Sequence, residues 1–166
     1  MNDQAFIEIE RRFNLIKEHL GSTFTLEELL DFIAGCRGKE DVVLVEQSLP
    51  PGQWAYCFAF QDKDLIVVRE NLDPLRRLTA CLHECSHFLL RHIPRVSAGP
   101  TTATFAEFQH HGHLREAVYH AVIAESNMYT DPQEWSAETL ATLLADCIKT
   151  DDEDIPPLAR DLYGDE

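Results

Sequence analysis

Two histidines and a glutamate in the segment His83-Glu84-Cys85-Ser86-His87 have types and spacing suited to metal chemistry. If the segment is helical, residues four apart lie on one face about one turn apart, so both imidazoles can reach a single ion. Glu84 is turned by about 100 degrees from His83, which places it beside a water bound to the ion rather than among the ligands. The spacing therefore predicts two metal ligands, His83 and His87, and a general base, Glu84.

The sequence around this segment predicts the helix that the motif needs. Asp73 is a good N-cap, Pro74 suits the first helical position, and neither Gly nor Pro follows until Pro94. A stripe of apolar residues at three- and four-residue spacing is predicted to face the core: Leu75, Leu78, Leu82, Cys85 and Leu89. In this helical context His-Glu-x-x-His is the zincin signature, so Zn2+ is the expected cofactor.

A catalytic zinc ion needs a third protein ligand and an open position for water. Glu116 is the preferred candidate, because a carboxylate among the apolar residues that surround it in sequence is expected to be paired or bound. His120 and Glu107 are alternatives, and His120 could instead stabilise a developing oxyanion. The downstream candidates together are Glu107, His110, His111, His113, Glu116, His120 and Glu125.

Length and composition are those of one globular domain. The chain has 166 residues, of which 45% are hydrophobic and 26% are charged, so residues 1–150 are expected to form a single metallopeptidase-like domain. The acidic, proline-containing segment 151–166 is expected to be a flexible tail.

Charge and cysteine usage restrict the partners and the compartment. A net charge of −15 argues against direct binding to nucleic acid, whose phosphates are neutralised by Lys and Arg. The same charge fits a basic protein partner, although solubility alone accounts for it. The start of the chain lacks signal-peptide features, no apolar run has the length of a membrane span, and the odd number of five cysteines fits a reducing cytosol. We therefore expect a cytoplasmic protein with no membrane association.

The remaining patterns predict an α+β fold. The predicted helices span 3–20, 26–36 and about 137–149, and the predicted strands span 42–45, 53–60 and 65–69. A capping-box pattern at Thr25-Leu-Glu-Glu28 opens the second helix, whereas Asp131-Pro132 is interpreted as a break before a helix capped by Trp135-Ser136. The expected architecture is a small antiparallel three-stranded sheet packed with helices, one of them the zincin-like active-site helix.

Taken in order, the apolar hairpin, the helix with His83-Glu-x-x-His87 and a later helix with Glu116-Ala resemble the ImmA/IrrE metallopeptidases. The resemblance covers roughly residues 40–125. It implies that His83, His87 and Glu116 hold zinc and that Glu84 is the catalytic base. It also implies a zinc endopeptidase of a bacterial or phage regulatory system. Its substrate would be a separate protein partner, such as a helix-turn-helix transcriptional repressor.

Two alternatives use the same segment differently. A non-catalytic zinc-binding protein could sequester a repressor or toxin partner without cutting it, although Glu84 favours catalysis. A structural zinc site on Cys81 and Cys85 is disfavoured, because on a helix these residues lie about 200 degrees from the histidine pair. Buried structural cysteines are expected instead. For a peptidase, three residues could supply an additional oxyanion donor: Tyr119, His120 and His92.

Overall fold

The protein folds as α+β, as the sequence predicts. The computed structural model describes residues 3–92, 105 and 129–149. Within these ranges the elements are α1 (Asp3–Leu20), α2 (Leu26–Arg37), β1 (Asp41–Gln47), β2 (Ala55–Ala59), β3 (Lys63–Arg69), α3 (Pro74–Leu89) and α4 (Asp131–Ala145). None of the helices in these ranges is long and apolar enough to cross a membrane. The predicted helix containing Glu116 and the predicted tail 151–166 lie outside the described residues.

The first helix has its predicted bounds, and the second begins as predicted but ends one residue later, at Arg37. α1 buries Ile9 and Ile16 in the core, whereas Phe6, three residues before Ile9, is 41% exposed. α2 starts at the N-cap Thr25, whose hydroxyl accepts from the Glu28 N–H while the Glu28 carboxylate accepts from the Thr25 N–H, both at 3.0 Å. This reciprocal pair is the predicted capping box.

The sheet is mixed rather than antiparallel, which corrects the predicted topology. β2 and β3 form the predicted antiparallel hairpin, but β1 pairs in parallel with the other side of β3, in the order β1-β3-β2. The physical reason is burial. Residues 65–68 are all fully buried, and a strand that is apolar on both faces belongs in the centre of a sheet. After β1 the chain therefore crosses to the far edge of the sheet, where it forms β2. It then turns back and forms β3 between β1 and β2.

α3 packs on the sheet and carries the motif. Its N-cap is Asp73, whose side chain accepts a backbone N–H of the first turn at 3.0 Å, and Pro74 follows in the first turn, as predicted. Leu82 and Leu89 are buried in the core, but Leu75 is 72% exposed. The predicted apolar stripe is therefore wrong at its first residue, which lines a surface cleft instead.

α4 begins at Asp131 rather than at about 137, which corrects the predicted start. Thr130 is the N-cap: its hydroxyl accepts from the Gln133 N–H at 3.3 Å, and the Gln133 side chain accepts from the Thr130 N–H at 3.0 Å. Pro132 lies in the first turn, where its missing N–H removes no helical hydrogen bond. Asp131-Pro132 therefore starts the helix instead of interrupting the chain.

The end of α4 is attached to the segment between α1 and α2. The Phe24 N–H donates to the Cys147 carbonyl at 3.0 Å, and the Lys149 N–H donates to the Phe24 carbonyl at 2.9 Å. These two bonds form an isolated parallel bridge between Phe24 and Ile148. Together with packing of α4 against α3, the bridge sets the position of α4 beside the motif.

Candidate metal centre

The two motif histidines lie side by side on the face of α3 that meets α4. Their Nε2 atoms are 3.1 Å apart and their ring centroids 4.8 Å apart. The side chain of His87 is 1% exposed and that of His83 is 20% exposed. Two imidazole nitrogens this close cannot both carry a hydrogen directed at the other, so at least one presents a lone pair. The predicted pairing of His83 and His87 on one helix face is confirmed.

Glu134 on α4 brings a carboxylate to the same point. Its Oε2 lies 3.0 Å from His83 Nε2, and its Oε1 lies 3.4 Å from His87 Nε2. Among the described residues, one ligand atom from each of these three side chains lies within 4.8 Å of the other two. Two imidazoles and one carboxylate are a donor set of catalytic zinc sites.

The other ring nitrogens of the two histidines have partners of their own. His83 Nδ1 lies 3.0 Å from Glu138 Oε2, and His87 Nδ1 lies 2.8 Å from His92 Nδ1. When the Nδ1 atoms carry the hydrogens of these contacts, both Nε2 lone pairs are directed towards Glu134 and are available to a metal. Outer acceptors of this kind fix the tautomer and orientation of metal-binding histidines. The residues present therefore fit a zinc ion.

In the absence of a metal, these contacts shift the pKa values of the donors. Burial lowers the pKa of His83, but the neighbouring carboxylates, Glu134 first among them, outweigh burial and raise that pKa from 6.5 to about 9. Hydrogen bonds from His83 and then His87 lower the pKa of Glu134 to about 2. Burial, followed by the charge of His87, lowers the pKa of His92 to about 4. At neutral pH His83 is therefore protonated and Glu134 ionised in the metal-free protein, and the His92 ring is neutral.

Glu84 lies on the same turn of α3 and lines the cleft. It is 6% exposed, and its Oε2 atom has no hydrogen-bond partner among the described residues. Burial raises the pKa of Glu84, although the charges of His87 and His83 oppose that shift. A buried carboxyl group with a raised pKa and an unpaired oxygen is suited to accept and return a proton. This is the environment that the predicted general base requires.

Tyr129 and Cys57 also lie beside the motif, and the sequence pattern points to neither. The Cys57 sulfur on β2 lies 3.1 Å from the Tyr129 hydroxyl, and burial, followed by the charge of Glu84, raises the pKa of the Cys57 thiol. The Tyr129 ring stacks on the His87 ring, with centroids 3.6 Å apart and planes 8° from parallel. Tyr129 therefore contacts both a candidate ligand, His87, and the Cys57 sulfur.

A cleft of about 650 Å³ opens beside these groups. One wall is a face of α3, and the other is the segment 52–56, which leads into the edge strand β2; carboxylates of α4 also line it. Trp54 and Leu75 are 47% and 72% exposed in this cleft. The guanidinium of Arg76 lies 5.4 Å from the centre of the Trp54 ring. The donor group therefore faces a groove that has acidic groups on one side and an apolar end.

The predicted site residues divide into those that the structure places and those that it does not describe. His83, Glu84 and His87 lie together as predicted. His92, predicted as an oxyanion donor, lies against His87 Nδ1. Outside the described residues lie Glu107, His110, His111, His113, Glu116, Tyr119, His120 and Glu125. Glu116 as the third ligand therefore stays a prediction.

Glu134 and Glu138 are the candidate residues that sequence reasoning missed. They are four apart on α4, as the two histidines are on α3, so each pair lies on one helix face. The capping box of α4 was the signal that could have found them, since it places both carboxylates in the helix. Their contact with His83 spans 51 and 55 residues of sequence, and no spacing rule predicts it.

The two cysteines considered for a structural zinc site are 1% or less exposed, and neither belongs to the donor group. Comparison with known proteins gives no further guidance on function. The sequence matches no family model and no curated protein, and no solved structure matches it. The interpretation of the site therefore depends on its own geometry.

Proposed function

We propose that the protein is a zinc-dependent endopeptidase of the ImmA/IrrE type. Its substrate would be a specific protein partner, such as a helix-turn-helix repressor in a bacterial or phage regulatory system. The observation that carries the proposal is the convergence of His83, His87 and Glu134 ligand atoms within 4.8 Å, on the helix turn that also carries Glu84. All five cysteines are free thiols, which supports a cytoplasmic setting.

In this proposal His83, His87 and Glu134 hold the zinc ion. When bound, zinc polarises the scissile carbonyl and lowers the pKa of water. Glu84 accepts the proton of the attacking water and delivers it to the leaving amine. In the metal-free protein, burial raises the pKa of Glu84, and its unpaired Oε2 is the atom that would accept the proton.

The cleft supports a peptide as the substrate. β2 is an edge of the described sheet, and an extended segment can pair with such an edge through main-chain hydrogen bonds. From His83 back to Leu75 the helix runs about 12 Å, the length of about four residues of extended chain. Trp54 and Leu75 are exposed at that end and offer apolar contact to a substrate side chain. A groove of this length suits an endopeptidase.

Zinc content measured beside cleavage tests the proposal. We expect about one zinc ion per chain in the parent, loss of zinc in His87→Ala and Glu134→Gln, and retention in Asp146→Asn, which lies just beyond the other end of α4. Glu84→Gln is expected to keep zinc and to lose cleavage, because an amide cannot take up the proton. Cleavage is measured with a library of proteome-derived peptides, by counting new amino termini in a mass spectrometer.

The other outcomes separate the rival assignments. Zinc loss in Glu116→Gln with retention in Glu134→Gln would move the third ligand to Glu116. A parent that holds no zinc after zinc is supplied would contradict the peptidase. Zinc binding without cleavage, with a protein partner retained equally by the parent and Glu84→Gln, would favour the alternative, a non-catalytic zinc-binding protein that sequesters a repressor or toxin.

A further inference from the structure

The Tyr129 residue connects three elements at the metal centre. Its ring stacks on the His87 ring of α3, with centroids 3.6 Å apart and planes 8° from parallel. Its hydroxyl lies 3.1 Å from the sulfur of Cys57 on β2, a residue that is 5% exposed. Its backbone directly precedes Thr130, the N-cap of α4. Tyr129 is therefore attached to the sheet and to both helices that carry candidate ligands.

The stack covers one face of the His87 ring and leaves the edge of the ring to its other contacts. Nδ1 lies 2.8 Å from His92 Nδ1, and Nε2 lies 3.1 Å from His83 Nε2 and 3.4 Å from Glu134 Oε1. An imidazole binds a metal in the plane of its ring, so a partner on the face does not compete with the metal. Rotation about the Cβ–Cγ bond is a soft torsion, but here it would drive the imidazole into the Tyr129 ring at 3.6 Å. The stack therefore holds Nε2 in the direction of Glu134.

The backbone beside Tyr129 positions a second candidate ligand. The Thr130 carbonyl accepts from the Glu134 N–H at 2.9 Å, in the first turn of α4. A helical hydrogen bond keeps its two residues in a fixed relation, so the turn that begins beside Tyr129 carries Glu134. Because the Tyr129 ring packs on His87, it also fixes where this turn meets α3. One residue thus sets the relation between a candidate ligand on each helix.

Tyr129 also lines the cleft, so its hydroxyl could in principle act on a substrate. The hydroxyl instead lies on the buried Cys57 sulfur. A hydroxyl in that position anchors the far end of the ring, while the face of the ring supports His87. The contacts of Tyr129 are therefore those of a support for the ligands.

We propose that Tyr129 is a positioning residue of the metal centre. Its ring holds the His87 imidazole and the start of α4 in the relation that lets His87 and Glu134 bind one ion, and its hydroxyl anchors the ring on Cys57. The inference rests on the proposed function in taking His87 and Glu134 as zinc ligands, but the stack itself can be tested without metal or substrate.

NMR spectroscopy of the metal-free protein tests the stack directly. An aromatic ring shifts protons that lie over its face upfield, so the carbon-bound ring protons of His87 are expected upfield of those of an exposed histidine. They are also expected to show nuclear Overhauser contacts with the Tyr129 ring. Tyr129→Leu is expected to move them downfield, whereas Tyr129→Phe keeps a ring in place and should leave them upfield. Absence of the Overhauser contacts in the parent, where no substitution is needed, would overturn the inference.

His19 supplies the matched control for this measurement. Its ring also packs beside an aromatic ring, that of Phe32, with centroids 5.4 Å apart, but this pair joins α1 to α2 and is no part of the donor group. Tyr129→Leu is expected to leave the His19 protons unchanged. Phe32→Leu is expected to move them and to leave the His87 protons unchanged. His87 protons that move equally in the two variants would contradict a specific role of Tyr129.

Zinc affinity, measured by competition with a chelator, tests the positioning role. Tyr129→Leu is expected to bind zinc about 10- to 100-fold more weakly, the range typical for loss of a group that orients a metal-binding histidine. Phe32→Leu also loses a packed ring and is expected to keep the parent's affinity, which separates positioning from a general loss of stability. Equal zinc affinity in Tyr129→Leu and the parent would overturn the inference.

The conservative variant separates positioning from catalysis. Tyr129→Phe is expected to recover most of the zinc affinity and most of the kcat that Tyr129→Leu loses, because the ring carries the effect. Recovery of affinity without recovery of kcat would make the hydroxyl catalytic and would overturn the role. If the parent binds no zinc, or binds zinc and cleaves nothing, the proposed function fails, while the NMR result still decides whether Tyr129 holds the His87 ring.

Discussion

α3 and α4 each bring two residues, four apart, to one metal centre, but the two pairs are held very differently. On α3 the His87 and His83 side chains are 1% and 20% exposed, whereas on α4 those of Glu134 and Glu138 are 47% and 62% exposed. The histidine pair is fixed by packing in the core. The carboxylate pair is held by its contacts with the histidines and by the position of its helix. One half of the centre is therefore rigid and the other half is adjustable.

This difference predicts where substitutions damage the fold and where they damage only the site. Core packing beneath the histidines should control both stability and ligand placement. Carboxylates on an exposed helix face should be replaceable with little effect on folding, because exposed ion pairs contribute little to stability. Three measurements test the comparison, taken from the largest expected effect to the smallest.

The largest effect is expected on the stability of the rigid half. Leu82, fully buried one residue before His83, is expected to lose about 2–5 kcal/mol of unfolding free energy as Leu82→Ala. Glu138→Ala on the exposed face of α4 is expected to lose less than about 1 kcal/mol. Urea unfolding of the metal-free proteins measures both. Equal losses in the two variants would contradict the distinction between a rigid and an adjustable half.

A smaller effect is expected on zinc affinity when the adjustable half loses its outer carboxylate. Glu138 Oε2 lies 3.0 Å from His83 Nδ1, and removal of such an outer partner typically weakens metal binding by about 10- to 100-fold. We expect Glu138→Ala to fall in this range and Thr142→Val, one turn along α4, to retain parent affinity. Competition with a chromophoric chelator measures the dissociation constants. Parent affinity in Glu138→Ala would show that His83 is oriented by packing alone.

The smallest expected effect is the release of the His83 proton when zinc binds. The folded pKa of about 9 lies above the ordinary 6.5. Protonated His83 therefore stabilises the metal-free protein fully below pH 6.5, and this contribution is lost as the pH rises through about 9. At pH 7 zinc binding is expected to release about one proton per ion. The number released is expected to fall as the pH rises through about 9, the pKa of His83 in the folded metal-free protein.

Calorimetry of zinc binding in buffers with different heats of ionisation counts these protons. Glu138→Ala serves as the control, because Glu138 also contributes to the raised pKa of His83. In this variant the release of protons on zinc binding should begin to decline at a lower pH than in the parent. A release that does not change with pH would mean that His83 is already neutral in the metal-free protein.

Features encoded within a few residues could be predicted from the sequence, and features set by distant packing could not. The Thr25 capping box, the Asp73 N-cap and the β2–β3 hairpin are local, and the structure confirms them. The parallel pairing of β1 depends on β3 taking the buried centre of the sheet, which no local pattern specifies. The exposure of Leu75 likewise depends on the cleft that it lines together with the distant segment 52–56.

The candidate site divides in the same way. His83, Glu84 and His87 follow from one helical turn, so their spacing predicts their arrangement. Glu134 reaches the pair only because α4 packs on α3 across 51 residues of sequence. The sequence pattern also places the start of its helix too late, because Asp131-Pro132 reads as a break, whereas the Thr130 capping box makes it the start of α4. The contact between Cys57 and Tyr129 likewise joins segments that are distant in sequence.

The parallel bridge between Phe24 and Ile148 has a consequence for the order in which the centre assembles. Contacts between distant segments require closure of a long loop and therefore form late in folding. The histidine pair exists as soon as α3 is helical, but Glu134 is fixed only when α4 has docked and the segment after it has reached Phe24. A nascent chain thus exposes both histidines well before its donor set is complete. In the proposed peptidase, the growing chain would therefore have no peptidase activity until synthesis has passed Lys149.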